Sequence, residues 1–537
     1  MPAGVPEARS FVPAARSFVP EARFLVPPLL SAVLLVLALP PFHVLPLAFV
    51  ALAPLAVGLA LLPPGPGSGS RAAFQGGMFG VLFWAYSLVW VPLEVGRDFS
   101  WALPAYGLLL TLLGALSALF GWTAHRLYHG VGLPLPLAVP LAWVGVEWVK
   151  ANFPLGLAFP WLGLGVTLTP WPLLLGVAEW TGEGGVAFWL AMASGWVAGE
   201  LIRLMRRPRR NPIASESSGG YRALLTRTLP ARTLLALALL APPLLGWARA
   251  RTLSLLPGPT VAVVGTGVPR ELRADPGASA REALGQIGAA LAHSLPFPPP
   301  DLILLPEATL PMPLDGEEAE AFLDQVLSLA TRVGAPLVVG ALGRTPDGRG
   351  SYALTNSAYL VLPERGVSQR YDKARLVPGM EAGRYLPGSG GGTIRAGAWV
   401  FGPLVCYESL FGGLARSGRQ EGAHALLNLT SDIWFGDGDG PLGALFLRQH
   451  PAHLVLRAVE NRMPVARAAN GGFTFVLDPL GRVSSPVVSP DGGLVVAQLL
   501  TTPALTVFTR VGDLVGPACF LLCILVLLLA RPGRCLP

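Results

Sequence analysis

Charge is scarce in this sequence. Of 537 residues only 13% are Asp, Glu, Lys or Arg, while 52% are hydrophobic and the mean hydropathy is +0.54. Soluble domains carry about 25% charged residues, so much of this chain must face lipid. Cysteine is scarcer still: Cys406, Cys519, Cys523 and Cys535 are the full set. Three of them crowd the C-terminus, which excludes a disulfide framework and any paired metal-ligand spacing, and leaves Cys406 alone. The net charge of +7 does not predict a nucleic-acid partner, because the arginines cluster beside apolar segments rather than interleaving with aromatics on a basic face. "GTG" at 265 to 267 lacks the remaining glycines of a dinucleotide loop. Asp437 and Asp439 lack a downstream ligand at calcium spacing. No cofactor and no metal is implied.

What is abundant is long apolar sequence. Segments near 24 to 40, 43 to 62, 74 to 92, 101 to 124, 134 to 149, 185 to 205, 233 to 248 and 508 to 530 approach or exceed the length needed to cross a hydrocarbon layer of about 30 Å. They predict about eight transmembrane helices, the first retained because no small-residue cleavage site follows it. Positive charge resists translocation. Arg9, Arg16, Arg23, Arg71, Arg126, the run from Arg203 to Arg232, Arg531 and Arg534 all fall in loops of one parity. In the alternate loops Arg97 faces Glu94 and Asp98, and Lys150 faces Glu179 and Glu183. Both termini are therefore expected in the cytoplasm, with the polar block between the last two spans outside it. Four parts follow: an arm at 1 to 23, a seven-span bundle at 24 to 251, a domain at 252 to 505, and a last helix with a short tail at 506 to 537. The arm repeats "ARSFVPA", "ARSFVPE", "ARFLVPP"; a proline in each unit rules out a continuous helix.

The outer block changes period. Runs at 260 to 268, 301 to 307, 335 to 342, 357 to 363, 399 to 408, 423 to 431, 464 to 478 and 493 to 500 are short, Leu-rich or β-branched, and end in turn residues. They read as buried strands. Amphipathic helices are expected at 280 to 295, 317 to 333 and 441 to 462, so the domain is a layered α/β fold.

Three strand ends are expected to carry a reactive side chain directly after an apolar run: Glu307 in "LILLPEATLP", Lys373 in "QRYDKARLVPG" and Cys406 in "PLVCYE". Catalytic groups in such sheets gather where strands end, so these three could converge. Each alone has a plainer reading: core packing for Cys406, a turn cap for Glu307, a solvated charge for Lys373. Together, in this order and context, they resemble the Glu-Lys-Cys triad of the nitrilase superfamily. That resemblance implies an αββα sandwich with Cys406 as nucleophile, Glu307 as general base and Lys373 stabilising the oxyanion, assisted by the backbone N–H of Tyr407. The residue types suit the chemistry. A thiol is mostly protonated at neutral pH and needs a neighbouring base, and Glu307, desolvated by "LILLP", could take and return that proton. Glu381 and Glu408 match acidic positions of the superfamily, the first as a carboxylate near the site. Glu408 is expected to hold Lys373 or a backbone turn, or to form a structural ion pair.

A nitrilase-like domain with seven spans before it and one after is similar to the apolipoprotein N-acyltransferase family. The likeness runs through "EWVKANFPLGLAFPWLGLG", "SDIWFGD", "RAVENRMPVARAANGG" and "LDPLGRV". It implies transfer of an acyl chain from a phospholipid, through a thioester on Cys406, to the N-terminal amine of a diacylglyceryl-cysteine apolipoprotein. The enzyme would be a monomer in the inner membrane with its site on the periplasmic face. Phe159, Trp161, Trp434 and Phe435 are candidates to contact acyl chains, although Trp161 also suits an anchor at the lipid–water boundary and the last two suit core packing. Ser431 stands where this family commonly has asparagine, and "GPLGALFLRQHPAHL" departs from its usual entry to the following helix. Two other readings remain: a membrane-tethered amidase or hydrolase using water, and a transporter or lipid scaffold with a degenerate domain. The second is expected to lack a triad member, and none is missing.

Overall fold

The computed structural model describes residues 22–154, 156–206, 218–292, 298–346, 351–436 and 446–529. The first two N-terminal repeats, the Asp437 and Asp439 turn, Arg207 to Arg210, and the tail with Arg531, Arg534 and Cys535 lie outside the described residues. The third repeat, "ARFLVPP", opens the helix Ala22–Ala38, which runs through Pro27 and Pro28, so proline does not keep that unit out of a helix.

Among those residues three helices are long and apolar enough to cross a membrane: Ser68–Arg97, Ala102–Gly130 and Ala178–Met205. Shorter apolar helices are Phe24–Ala38, Leu45–Leu61 and Val515–Leu529. The expected span at 43 to 62 is not one rod, because helical pieces Leu45–Ala48 and Ala53–Leu61 each begin with a proline in the first turn, where no N–H is required. The helix Ala178–Met205 starts earlier than expected and is kinked at Gly182, which takes φ 66° and ψ −171°. Small residues let the helices approach closely. A Cβ on Gly76 would lie 2.3 Å from the Ser117 carbonyl, and one on Gly121 would lie 2.5 Å from that of Ala72.

The second region is a sheet of twelve strands: β1 Leu256–Thr266, β2 Leu302–Leu304, β3 Leu310–Pro313, β4 Leu337–Pro346, β5 Tyr352–Leu362, β6 Gly366–Asp372, β7 Ile394–Ala396, β8 Trp399–Val405, β9 Ala425–Ser431, β10 Val465–Asn470, β11 Phe475–Leu477 and β12 Gly492–Thr501. The main path runs β6-β5-β4-β2-β1-β10-β9-β8-β7, with β3, β11 and β12 attached to β4, β10 and β1. Pairing is parallel through β4, β2, β1, β10, β9 and β8. Strands buried on both faces read as continuous apolar runs, and successive side chains divide between the layers. Val261, Val263, Leu302 and Leu304 join Val405, Leu427 and Ala466 in the core between the two halves of the sheet. Their neighbours Ala262, Val264 and Ile303 pack outward against the helices Pro276–Ala292 and Glu320–Val333. On the other side Leu404 and Leu426 pack with Leu454 and Ala458 of the helix Gln449–Asn461. Helix, sheet, sheet and helix are thus stacked as the nitrilase-like reading expects. The run at 464 to 478 is two antiparallel strands, β10 and β11, rather than one.

Candidate active site

The ends of β2, β6 and β8 bring Glu307, Lys373 and Cys406 together. Glu307 follows β2 after Pro306, and its backbone lies so close to β4 that a Cβ on Gly340 would sit 2.6 Å from Glu307 Cα. Its Oε1 accepts from Lys373 Nζ at 3.1 Å and from Asn356 Nδ2 at 2.8 Å, and its Oε2 accepts the N–H of Ser431 at 2.9 Å. Lys373, 1% exposed, also donates to Glu381 Oε1 at 2.9 Å. Glu381 in turn accepts from Asn356 Nδ2 and from the N–H of Val377. Asn356 therefore bridges the two carboxylates, and the Lys373 ammonium pairs with both.

Cys406 begins a short 3-10 turn, Cys406–Leu410, directly after β8. It has φ 49°, a left-handed conformation that costs an L residue about 1–2 kcal/mol and turns its side chain off the strand. The thiol remains partly accessible. Burial, and next the Glu307 carboxylate, push it above its ordinary value, with Lys373 and the Thr430 hydroxyl opposing. Sulfur is thus a thiol that needs a base. Burial alone would lower Lys373, but Glu307 and Glu381 outweigh it and hold the ammonium well above its ordinary range. For Glu381 burial acts upward and is outweighed by Lys373 and the Val377 N–H, so its carboxyl is held below the usual range. A thiol, two carboxyl groups and a buried ammonium thus gather where these strands end.

Glu408, fully buried, does not reach the Lys373 ammonium. It accepts the N–H groups of Ala374 at 2.7 Å, Arg375 at 3.2 Å and Val405 at 2.8 Å, and the Tyr371 hydroxyl at 3.0 Å. One carboxyl thereby clamps the backbone after Lys373 to the residue before Cys406. Burial pushes it up to about 7, against the pull of those donors. The N–H of Tyr407 lies in the first turn of the 3-10 segment, where helix geometry provides no intrahelical acceptor. The Tyr407 hydroxyl donates to the Ala158 carbonyl at 2.9 Å, so the residue after the cysteine touches the first region of the chain.

Three residues after Ala158 stands Trp161. Trp161 is buried, at 3% exposed, and donates from Nε1 to Gln449 Oε1 at 3.1 Å, which corrects the boundary-anchor reading. Its ring lies 6.3 Å from Phe159 and 5.7 Å from Phe435, both nearly parallel to it. Trp434 points elsewhere: it stacks on Phe99 at 6.0 Å and carries the Arg273 guanidinium 3.5 Å above its ring. Phe159, Trp161 and Phe435 form one aromatic wall, and Trp434 does not join it.

The model of the carbon-nitrogen hydrolase family matches residues 261–502, and that of the apolipoprotein N-acyltransferase N-terminal domain matches residues 31–196. The apolipoprotein N-acyltransferase of Brucella melitensis biotype 1 is 30% identical over 468 residues, 80% of this chain and 80% of that protein. The chain belongs to the apolipoprotein N-acyltransferase family. Its relative from Geobacter metallireducens is 29% identical over 515 residues, 91% of this chain and 92% of that protein. Among solved structures, a carbon-nitrogen hydrolase from Helicobacter pylori G27 aligns with 49% of this chain and 93% of its own, at 18% identity and a TM-score of 0.37.

Several polar residues around this family's site escape sequence reasoning. Asn356 lies inside β5 with no flanking motif. Ser431, noted as a departure, contributes its backbone N–H to Glu307, which any residue could supply. Glu179 and Glu183, read as loop charges, instead bind Arg462 Nε at 2.7 Å and Arg457 Nη2 at 3.0 Å of the catalytic region.

Proposed function

We propose that Cys406 is the acyl carrier of a ping-pong transfer from phospholipid to lipoprotein. The class of reaction, lipoprotein N-acylation by an acyltransferase, follows from family membership. In the first half-reaction the Cys406 sulfur attacks the sn-1 ester carbonyl of a phospholipid while Glu307 takes the thiol proton. The tetrahedral oxyanion meets the Lys373 ammonium and the Tyr407 N–H, donors of the kind whose removal costs about 10²-fold or more. Collapse breaks the ester C–O bond, Glu307 returns the proton to the lysophospholipid oxygen, and a thioester remains. In the second half-reaction the α-amine of a diacylglyceryl-cysteine apolipoprotein attacks the thioester. Its proton passes through Glu307 to the departing sulfur, leaving an amide.

The observation that carries this reading is the cluster itself: a raised thiol at a strand end beside a carboxylate bonded to a buried ammonium. Phe159, Trp161 and Phe435 are positioned to flank the acyl chain, and Glu381 and Glu408 hold the base and the oxyanion cation in register. The bundle would comprise eight spans, residues 24–251 and 506–537, with both termini cytoplasmic and the 252–505 domain at the periplasmic face of the inner membrane. Loop-charge parity supports that topology, and three helices of spanning length support membrane residence. Intact-mass analysis after exposure to phospholipid should show one acyl adduct, lost in Cys406→Ala and Cys406→Ser. An adduct that survives the alanine change refutes the assignment, and free fatty acid in place of acylated lipopeptide would make the protein a hydrolase.

A further inference from the structure

Cys406 occupies a backbone conformation that must be held from outside its own strand, and one side chain close to it has no part in the mechanism above. His450, on the helix Gln449–Asn461, is 1% exposed. Its Nδ1 lies 2.9 Å from Asp432 Oδ1. Its Nε2 lies 3.0 Å from Ser409 Oγ and 3.1 Å from the Cys406 carbonyl oxygen, both atoms of the turn that carries the nucleophile. Trp161 stacks on the ring at 6.0 Å and 20°, and Phe435 packs on it at 5.8 Å. Each edge of the imidazole therefore has a polar partner and its faces are packed.

Asp432 is anchored in its turn. It is wholly buried, accepts from Thr430 Oγ1 at 3.0 Å and is ion-paired with the equally buried Arg467. Burial would raise its carboxyl, but Arg467 and His450 outweigh that and hold it at about 2. An ionised Asp432 accepts only, so it fixes a proton on His450 Nδ1 and sets the ring's direction, as an orienting carboxylate does for other histidines.

We propose that His450, oriented by Asp432 and Arg467, is a positioning residue that holds the Cys406–Leu410 turn with its sulfur aimed at the donor carbonyl. The inference rests on Cys406 being the nucleophile. His450 exchanges no proton with substrate; with its proton fixed on Nδ1, its Nε2 accepts from the Ser409 hydroxyl, and through Ser409 the ring holds the turn. Its partners lie 18, 41 and 44 residues away in the chain.

The test uses the full chain in detergent, with single-turnover acyl-adduct formation followed by intact mass across phospholipid concentrations. His450→Ala should lower the maximal rate by about 10- to 100-fold, the loss that a misplaced reacting group incurs, without changing the half-saturating phospholipid concentration. His450→Gln, whose amide reaches the Nε2 position, should recover much of that rate, and His450→Asn, which reaches only the Nδ1 position, should not. A rate near wild type in His450→Ala, or a Gln variant no faster than the Asn variant, overturns the proposal. Should His450→Ala fail to fold, Ser409→Ala removes one Nε2 partner with little change in volume; it is expected to slow the same step, and a wild-type maximal rate there overturns the proposal equally. An adduct persisting in Cys406→Ala would instead sink the nucleophile assignment, so the two failures are distinct.

Discussion

Replacing Lys373 by methionine keeps the length and apolar volume of the side chain and removes only its charge. Nζ lies 3.1 Å from Glu307 Oε1 and 2.9 Å from Glu381 Oε1. At an effective dielectric of about 20, each contact carries roughly 5 kcal/mol of gross attraction, much of it offset by desolvation of the ions. Deleting one partner is more damaging than that balance suggests, because it strands the others: removing one member of a buried ion pair typically costs about 3–5 kcal/mol. Here two carboxylates are stranded, both on Asn356 Nδ2, and such a pair must capture a proton. Lys373→Met should thus lower the melting temperature by roughly 10 °C, given about 2–4 °C per kcal/mol for a domain of this size. Thioester formation should fall by at least about 10²-fold, since the oxyanion loses its cation. Lys373→Met/Glu381→Gln removes the surplus carboxylate, so it should regain part of the stability and none of the rate. Thermal unfolding by intrinsic fluorescence and adduct formation by intact mass read the two effects separately. A double variant no more stable than the single one, or a Lys373→Met protein that still acylates at a wild-type rate, refutes the electrostatic argument. The pH dependence has a fixed sign. A lysine raised above 10.5 contributes stability that is complete below that value and lost only as pH climbs through the raised one, so the deficit should be flat from about pH 6 to 9. Glu381, held below 4.5, contributes above that pH, and its share is lost as the pH falls through the lowered value.

Two other perturbations isolate single features. Because burial and Glu307 raise the Cys406 thiol above its ordinary 9.0, its alkylation rate should keep climbing through pH 9 to 10; a plateau near pH 7.5 would mean a preformed thiolate. Gly340→Ala places a methyl group 2.5 Å from the Pro306 carbonyl and 2.6 Å from Glu307 Cα, so β4 must shift against the base, and the maximal acylation rate should drop by about 10²-fold while phospholipid half-saturation holds. Wild-type turnover in that variant would show that the register of β4 and Glu307 is not critical.

The chemistry of the site was legible because it is punctuated. Apolar strands that end in Glu307 and Cys406 advertise themselves, since buried runs end where polar groups begin; Lys373 follows the polar strand β6 and was legible only through the motif "YDKARLVPG". The runs that became β1, β2, β4, β5, β8, β9 and β12 stood out for the same reason. By contrast β3, β6 and β7 have no such signature: "GVSQRYD" of β6 is largely polar because it lies at the end of the sheet path, away from the core. Asn356, Asp432 and His450 are ordinary residues made significant by partners far off in the chain, and no local window holds that information. The broken helix pieces between Leu45 and Leu61 illustrate another limit. Hydropathy counts apolar residues, whereas Pro46 and Pro54 decide where each helix starts.

Loop charges carry more than topology, and that bears on why the bundle exists. Glu94, Asp98, Glu179 and Glu183 were weighed as topology markers, yet Arg270 pairs with Glu94 and Asp98, Arg462 with Glu179 and Arg457 with Glu183. Every one of these bonds joins the membrane-helix region to the catalytic region. Buried ion pairs are poor sources of net stability, because desolvation offsets their attraction; their better-attested use is to specify one arrangement. The arrangement specified here sets Ala158 on the Tyr407 hydroxyl, in the Cys406–Leu410 turn, and Trp161 on Gln449 and His450. A simple anchor would need none of these contacts. The N-terminal region instead touches the Cys406–Leu410 turn and the helix Gln449–Asn461, so it shapes the site as well as carrying the catalytic region.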